Sequence, residues 1–289
     1  MKISLYASGE KALSSIDFLG KHQLAHIRLV VIGRDEKVQQ DFSKNIVTLC
    51  QERNLPYSFD DTVSDDSDIL IAIGWRKLIQ KKPNQKLIVM HDSILPRYRG
   101  FNPLVTALIN GDKEIGVTAL FGEESYDTGE IIATEKIPIA YPIRIQEAIK
   151  KISVCYQLLL KKVLIDVLED NLTSIPQVSE AATYSLWRDE QDYFLNWKES
   201  SEKILRTIHA VGFPYNGAKF HLKDEIYTIT DATLIPDVTI ANRDVGKVIF
   251  KNEGKLVVVC GSGLLRLDAV FDKDGKEEKF NNKFRLRFS

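Results

Sequence analysis

Residues 68–100 read DILIAIGWRKLIQKKPNQKLIVMHDSILPRYRG. Two β-branched apolar runs, DILIAI at 68–73 and KLIVMH at 86–91, predict two strands. Upstream, KISLYA at 2–7 and IRLVVIG at 27–33 repeat the pattern. Between them, residues 10–21 and 36–53 carry apolar side chains at helical spacing, the second through Val38, Phe42, Ile46, Leu49 and Cys50. This alternation predicts βαβ units around a mostly parallel, Rossmann-like sheet, an α/β fold.

After His91 a loop rich in Pro, Gly and Arg leads into a predicted helix from Asn102 to Ile109. A strand pair follows at 116–121 and 130–139, then a long amphipathic helix at 143–169 with Ile145, Ile149, Ile152, Tyr156, Leu159, Val163 and Val167 on one stripe. The stretch 170–183 has the composition of a linker. Beyond a helix at 202–211, short alternating runs (AKFHL, EIYTITDATLI, GKVIFK, KLVVVCG, GLLRLDAVF) predict a small β-domain of the OB type. The expected organisation is an α/β domain at 1–180, a linker segment at 181–201 and an OB-like domain at 202–289.

The 289 residues suffice for two domains of about 150 residues with real cores. Hydrophobic residues make up 44% and charged ones 27%, which excludes fibrous and disordered classes. With 39 Lys+Arg against 40 Asp+Glu, the net charge of −1 offers no global field for nucleic acid or an anionic membrane. Cys50, Cys155 and Cys260 lie far apart without a CxxC pair, so buried, reduced thiols are expected, and no metal site. The N-terminal apolar run is too short for a signal peptide and no run approaches membrane-spanning length, so a soluble, cytoplasmic protein is expected.

The chemistry concentrates between His91 and Glu130. His91 ends an apolar strand, where open parallel sheets place their ligand crevices. The loop after it holds Ser93, Pro96, Arg97, Arg99 and Gly100, a rigid basic composition suited to an anionic ligand. Asp127, in the turn YDTG, could lie over the same crevice and form an acid/base pair with His91. Each feature alone also has an ordinary structural meaning. Ser8, Gly9 and Lys11, after the first strand, form a polar turn at a helix start suited to a phosphate. No G-x-G-x-x-G occurs, so a dinucleotide cofactor is not implied.

HDSILPRYRG, GDKEIGVT and YDTGEI, in this order, resemble the folate-dependent formyltransferase family, and GFPYNGAKF, GKV and GSGLLRL extend the resemblance into the C-terminal part. The family comprises methionyl-tRNA formyltransferases, glycinamide ribonucleotide transformylases and N-formyltransferases of nucleotide-linked amino sugars. The resemblance implies 10-formyltetrahydrofolate as formyl donor, His91 and Asp127 as catalytic residues, and a crevice for the folate. The loops implied to line that crevice supply Gly74, Trp75, Arg76 and Lys77 on one side and Glu123 through Tyr126 on the other, with Leu95 from the motif; Trp75 could equally pack on the sheet, and Lys77 could be a solvated charge. One departure stands out. The family motif has Asn two residues before the His, where this chain has Val89, which has no side-chain hydrogen-bonding group. Asn102 is the nearest candidate to replace that oxyanion donor, and a positively charged His91 supported by Asp127 is another.

For the acceptor, the segment from Lys198 onward has 16 Lys+Arg and 13 Asp+Glu, a net +3 concentrated in KFNNKFRLR. That is a thin positive surface for tRNA, and it points instead to a compact nucleotide-linked sugar. Within the sugar branch of the resembled family, a 4-amino-4,6-dideoxyhexose used in lipopolysaccharide or O-antigen assembly is the expected acceptor. Ser8, Gly9, Lys11, Ser93, Arg99, Gly100, Phe101, Trp187, Arg188, Phe213 and Tyr215 are the candidate substrate-binding residues, although the aromatics among them could instead pack between domains. Methionyl-tRNA formylation and a non-catalytic folate or nucleotide-sugar binder are the alternatives. A homodimer through the C-terminal domain is a family expectation.

Overall fold

A computed structural model describes residues 1–36, 38–59, 66–280 and 285–289. Lys37, inside the helix expected at 36–53, and residues 281–284 of the basic run KFNNKFRLR lie outside the described residues. The chain divides into two compact units, the first comprising Met1–Leu104, Lys113–Ile139 and Glu147–Trp187 and the second Val105–Asp112, Ala140–Gln146 and Arg188–Ser289.

In chain order the first part of the molecule runs β1 (Ile3–Ala7), α1 (Gly9–Phe18), α2 (Lys21–Leu24), β2 (Ile27–Ile32), α3 (Ser43–Glu52), β3 (Tyr57–Ser58), β4 (Ile69–Ile73) and β5 (Lys86–His91). It continues with β6 (Arg99–Gly100), α4 (Pro103–Asn110), β7 (Glu114–Phe121), β8 (Ile131–Pro138), α5 (Ile145–Leu168) and β9 (Tyr184–Ser185). The seven-stranded sheet has the order β3-β2-β1-β4-β5-β7-β8. Pairings are parallel from β3 to β5, while β7 and β8 join antiparallel. Every residue of β1 and β4 is buried, as strands covered on both faces require. The strand order reverses between β1 and β4, so a crevice opens beyond their C-terminal ends.

The long helix behaves as its pattern requires: all seven stripe residues from Ile145 to Val167 are buried. α3 begins seven residues later than expected. Phe42 adopts a left-handed φ of 60°, and the Asp41 carboxylate accepts from the Ser43 N–H at 3.1 Å and hydroxyl at 3.0 Å, so Val38 and Phe42 stay outside the helix. The stretch 170–183 is not a free linker. Ile175 exchanges two backbone hydrogen bonds with Ile131 at 2.8 Å, and β9 pairs parallel with β6.

The second unit contains α6 (Ser201–Ala210), β10 (Ala218–Leu222), β11 (Glu225–Ile235), β12 (Val248–Asn252), β13 (Lys255–Val259) and β14 (Leu264–Phe271). Its antiparallel sheet has the order β10-β11-β14-β13-β12. The C-terminal residues connect the two edges: Val248 N–H donates to the Leu286 carbonyl at 3.0 Å, and His221 and Ser289 exchange backbone bonds at 2.6 and 3.0 Å. That closure gives the expected OB-like β-domain its barrel character. Trp197, Phe220, Tyr227, Phe280 and Phe288, all buried, form its aromatic centre.

Cys50, Cys155 and Cys260 are free and buried. Burial pushes their thiols up to about 11, 11 and 12, which keeps them protonated and poor nucleophiles. Among the described residues no helix is long and apolar enough to cross a membrane, and no group of three or more His, Cys, Asp or Glu is placed to hold a metal.

Candidate active site

His91 closes β5 and is 7% exposed. Its Nε2 lies 2.8 Å from the Tyr98 carbonyl oxygen, which can only accept, so Nε2 carries a hydrogen and donates there. Its Nδ1 is 3.5 Å from Oδ1 of Asp127. The pair expected from the sequence therefore meets in space, although the two residues lie far apart in the chain. The other Asp127 oxygen accepts from the Gly100 N–H at 2.8 Å, which fixes the carboxylate between the histidine and the basic loop.

The turn that presents Asp127 is closely determined. Asp127 has a left-handed φ of 56°, uncommon for a residue with a side chain. A Cβ on Gly129 would stand 1.9 Å from the Phe121 carbonyl oxygen, so only glycine fits there. Gln177 completes the turn: its Nε2 donates to the carbonyls of Asp127 and Gly129, both at 2.8 Å, while its Oε1 accepts from Arg99 Nε at 3.0 Å and Nη2 at 2.8 Å. No signal of sequence spacing marks Gln177.

Asp92 and Tyr156 are two further residues the motif reading passes over. Asp92 pairs with Lys11 and accepts from the Tyr156 hydroxyl, which also reaches the Met90 carbonyl at 3.0 Å. Burial opposes the ionisation of Asp92, but the ammonium of Lys11, the Tyr156 hydroxyl and His91 together hold its carboxyl below the ordinary range. Burial and the Asp92 charge push Tyr156 well above the usual tyrosine range.

Several candidates take other roles. Lys11 is engaged by Asp92 and does not stand ready for a phosphate. Arg99 is 4% exposed with its guanidinium on Gln177, so it is a structural cation of the loop rather than an open anion contact. Leu95 is buried, with its N–H donating to Thr118 at 3.2 Å. The Trp75 ring packs edge-on to Tyr6 at 5.1 Å and over Gly33, the sheet-packing alternative. Arg76 pairs with Asp35 at 2.6 Å, and Lys77 is exposed.

Others remain at the rim. Gly74 stands at the end of β4 with φ +63°, where a Cβ would meet the Ser8 carbonyl at 2.5 Å; Ser8 and Gly9 lead into α1. Glu123 is exposed, and the Tyr126 ring lies 5.6 Å from that of Phe101. Asn102, with φ +50°, makes no side-chain hydrogen bond among the described residues and is available to a ligand. Ser93 Oγ and Trp75 Nε1 are buried polar atoms without partners. Trp187 is exposed on the first unit; Arg188, Phe213 and Tyr215 belong to the second. Val89 lies two residues from His91 and therefore on the same face of β5, so the departure from the family motif faces the centre.

Residues 22–163 match the formyl transferase family and residues 188–285 match the formyl transferase C-terminal domain. The chain belongs to the formyl transferase family. A methionyl-tRNA formyltransferase from Rickettsia africae is 32% identical over 261 residues, 88% of this chain and 78% of that one. Among solved structures, WlaRD, a sugar 3N-formyl transferase, superposes with a TM-score of 0.70 at 20% identity over 92% of this chain and 97% of its own. HypX from Aquifex aeolicus superposes with a TM-score of 0.63 at 16% identity over 96% of this chain, which spans 45% of HypX.

These relatives correct the expected acceptor. Curated relatives at 25–32% identity over most of the chain carry the name methionyl-tRNA formyltransferase, whereas the sugar formyltransferase appears through a structural likeness that shows the fold alone. The charge tally misled for a physical reason. It sums charge over the whole segment without regard to placement, so a few cations grouped on one face are cancelled in the total by carboxylates elsewhere.

Proposed function

We propose that this formyltransferase moves the formyl group of 10-formyltetrahydrofolate to the α-amino group of methionyl-tRNA. The observation that carries this reading is the His91–Asp127 pair at 3.5 Å, buttressed by Gly100, on a chain whose curated relatives share that name across both units. The folate supplies the electrophilic formyl carbon. Gly74 at the end of β4 and the exposed Glu123–Tyr126 segment are the groups suited to hold it.

The neutral amine attacks the formyl carbon, a C–N bond forms, and the carbon's bond to N10 of the folate breaks. One proton passes from the amine to N10, and the His91–Asp127 pair is placed to carry it. The Tyr98 carbonyl takes the Nε2 hydrogen, which turns the Nδ1 lone pair toward Asp127 Oδ1 at 3.5 Å and leaves these two atoms as the pair's proton acceptors. Val89 supplies no donor to the developing oxyanion, and the unbonded Asn102 amide is the group free to do so. Charged tRNA as acceptor places the reaction in the cytoplasm.

Incubation of the purified protein with 10-formyltetrahydrofolate and charged initiator tRNA, followed by mass spectrometry of the released amino acid, is expected to give formyl-methionine. Unmodified methionine after prolonged incubation refutes the reading. Val89 favours one other reading, a folate binder that transfers nothing; calorimetric folate binding without formyl-methionine identifies that case.

A further inference from the structure

We infer that Gln177 is a positioning residue for the His91–Asp127 centre, holding the catalytic turn against the basic loop. The inference rests on the formyl-transfer reading. The Gln177 amide has two hydrogens and two acceptor sites, and all four are used, two on the carbonyls of Asp127 and Gly129 and two on Arg99. Among the described residues no other side chain bridges the turn and the loop so completely.

Both ends of the bridge need it. The turn places Asp127 at φ +56°, a conformation that costs free energy unless its surroundings determine it. At the other end Arg99 is buried, with no ion-pair partner among the described residues, and its fork is satisfied by the amide oxygen. Gly100, next to Arg99, donates to Asp127 Oδ2 at 2.8 Å. Two bridges therefore join the same two segments: one is Gly100 to the Asp127 carboxylate, and the other runs from Arg99 through Gln177 to the Asp127 carbonyl. If the second is removed, the first alone must hold the carboxylate 3.5 Å from His91. A shift of about 1 Å at a reacting centre costs on the order of 100-fold in rate.

Gln177→Glu is the discriminating variant. It keeps an acceptor for Arg99, as an ion pair, and loses both donors to the turn. Single-turnover transfer to methionyl-tRNA is expected to slow about 10- to 100-fold, with KM for the folate changed less than about threefold. The Gly100 amide, read by hydrogen exchange in the full chain, is expected to lose protection by about tenfold or more as the carboxylate loosens. Gln177→Ala should show both effects, and where it fails to fold, Gln177→Glu decides. A folded Gln177→Glu with wild-type rate overturns the proposal, as does a slowed enzyme whose Gly100 protection is unchanged. If the wild type does not formylate methionyl-tRNA, the acceptor reading falls, while Gly100 protection still decides whether Gln177 holds the turn.

Discussion

Replacing Lys11 by Met removes the cation from a buried carboxylate and leaves the rest of α1 intact. The Lys11 and Asp92 side chains are only 18% and 16% exposed, so water cannot replace the lost ammonium, and among the described residues the Tyr156 hydroxyl is the side-chain donor left to Asp92. Breaking a buried pair in this way costs about 3–5 kcal/mol. With about 2–4 °C per kcal/mol for a unit of this size, the melting temperature should fall by roughly 6–20 °C. The sign of the pH dependence follows from the Asp92 carboxyl. In the wild type its folded value is depressed, so its contribution is full above the ordinary value of about 4 and fades as pH falls through the depressed one. Without Lys11, burial dominates and raises the folded value, so the defect is largest at neutral pH and shrinks as Asp92 takes up a proton. The double variant Lys11→Met/Asp92→Asn removes both charges and should recover most of the loss. By contrast, Lys136→Met, which breaks a pair exposed at 55% and 46%, should change stability by at most about 1 kcal/mol. Thermal melts followed by circular dichroism at pH 7 and pH 5 give all of these values. A Lys11→Met loss below about 1 kcal/mol, or one equal at both pH values, refutes the assignment of Asp92 as a buried ionised group.

Substituting Asn for His91, or Asn for Asp127, should lower the transfer rate by roughly 10²–10⁴ with little change in melting temperature, measured by formyl-methionine production. Wild-type turnover from either would relocate the site. Val89→Asn returns a donor to the face that His91 occupies and should raise the rate about tenfold or more; an unchanged rate together with a slowed Asn102→Ala would assign the oxyanion to Asn102. Gly129→Ala places a Cβ 1.9 Å from the Phe121 carbonyl and should destabilise by about 1–3 kcal/mol while slowing transfer, read by urea unfolding and the same assay.

The parts of the fold that local pattern controls were legible. Apolar runs located β1, β2, β4 and β5, and the stripe of α5 was correct at each of its seven positions, because burial on both faces or along one stripe leaves a direct mark on composition. The start of α3 was not legible: Val38 and Phe42 continue the helical spacing, but the left-handed φ of Phe42 and the Asp41 side chain end it, and periodicity does not register either. His91 and Asp127 were singled out through residue type and motif, and the structure brings them within 3.5 Å of each other. Gln177 was hidden because its four bonds reach across 48 to 78 residues of chain from a stretch whose polarity reads as linker. Lys11 was found but misassigned, since a cation at a helix start looks free until the neighbouring carboxylate is placed beside it.

Lys11 and the C-terminal cations expose the same weakness of charge as a sequence signal. A formal charge tells how strongly a protein attracts an anion only after pairing is known, and pairing is a property of tertiary contacts between distant residues, such as Arg287 with Asp244 and Lys11 with Asp92. A near-zero total is therefore compatible with binding a polyanion by a few well-placed cations, and equally with binding a neutral ligand. The acceptor has to be decided at the reacting atoms and by the substrate actually turned over. The chemistry proposed at His91 requires only an unprotonated amine brought to the formyl carbon, and Val89, which withholds a donor on that same face, makes the measured rate on methionyl-tRNA the sharper test of how the transition state is held.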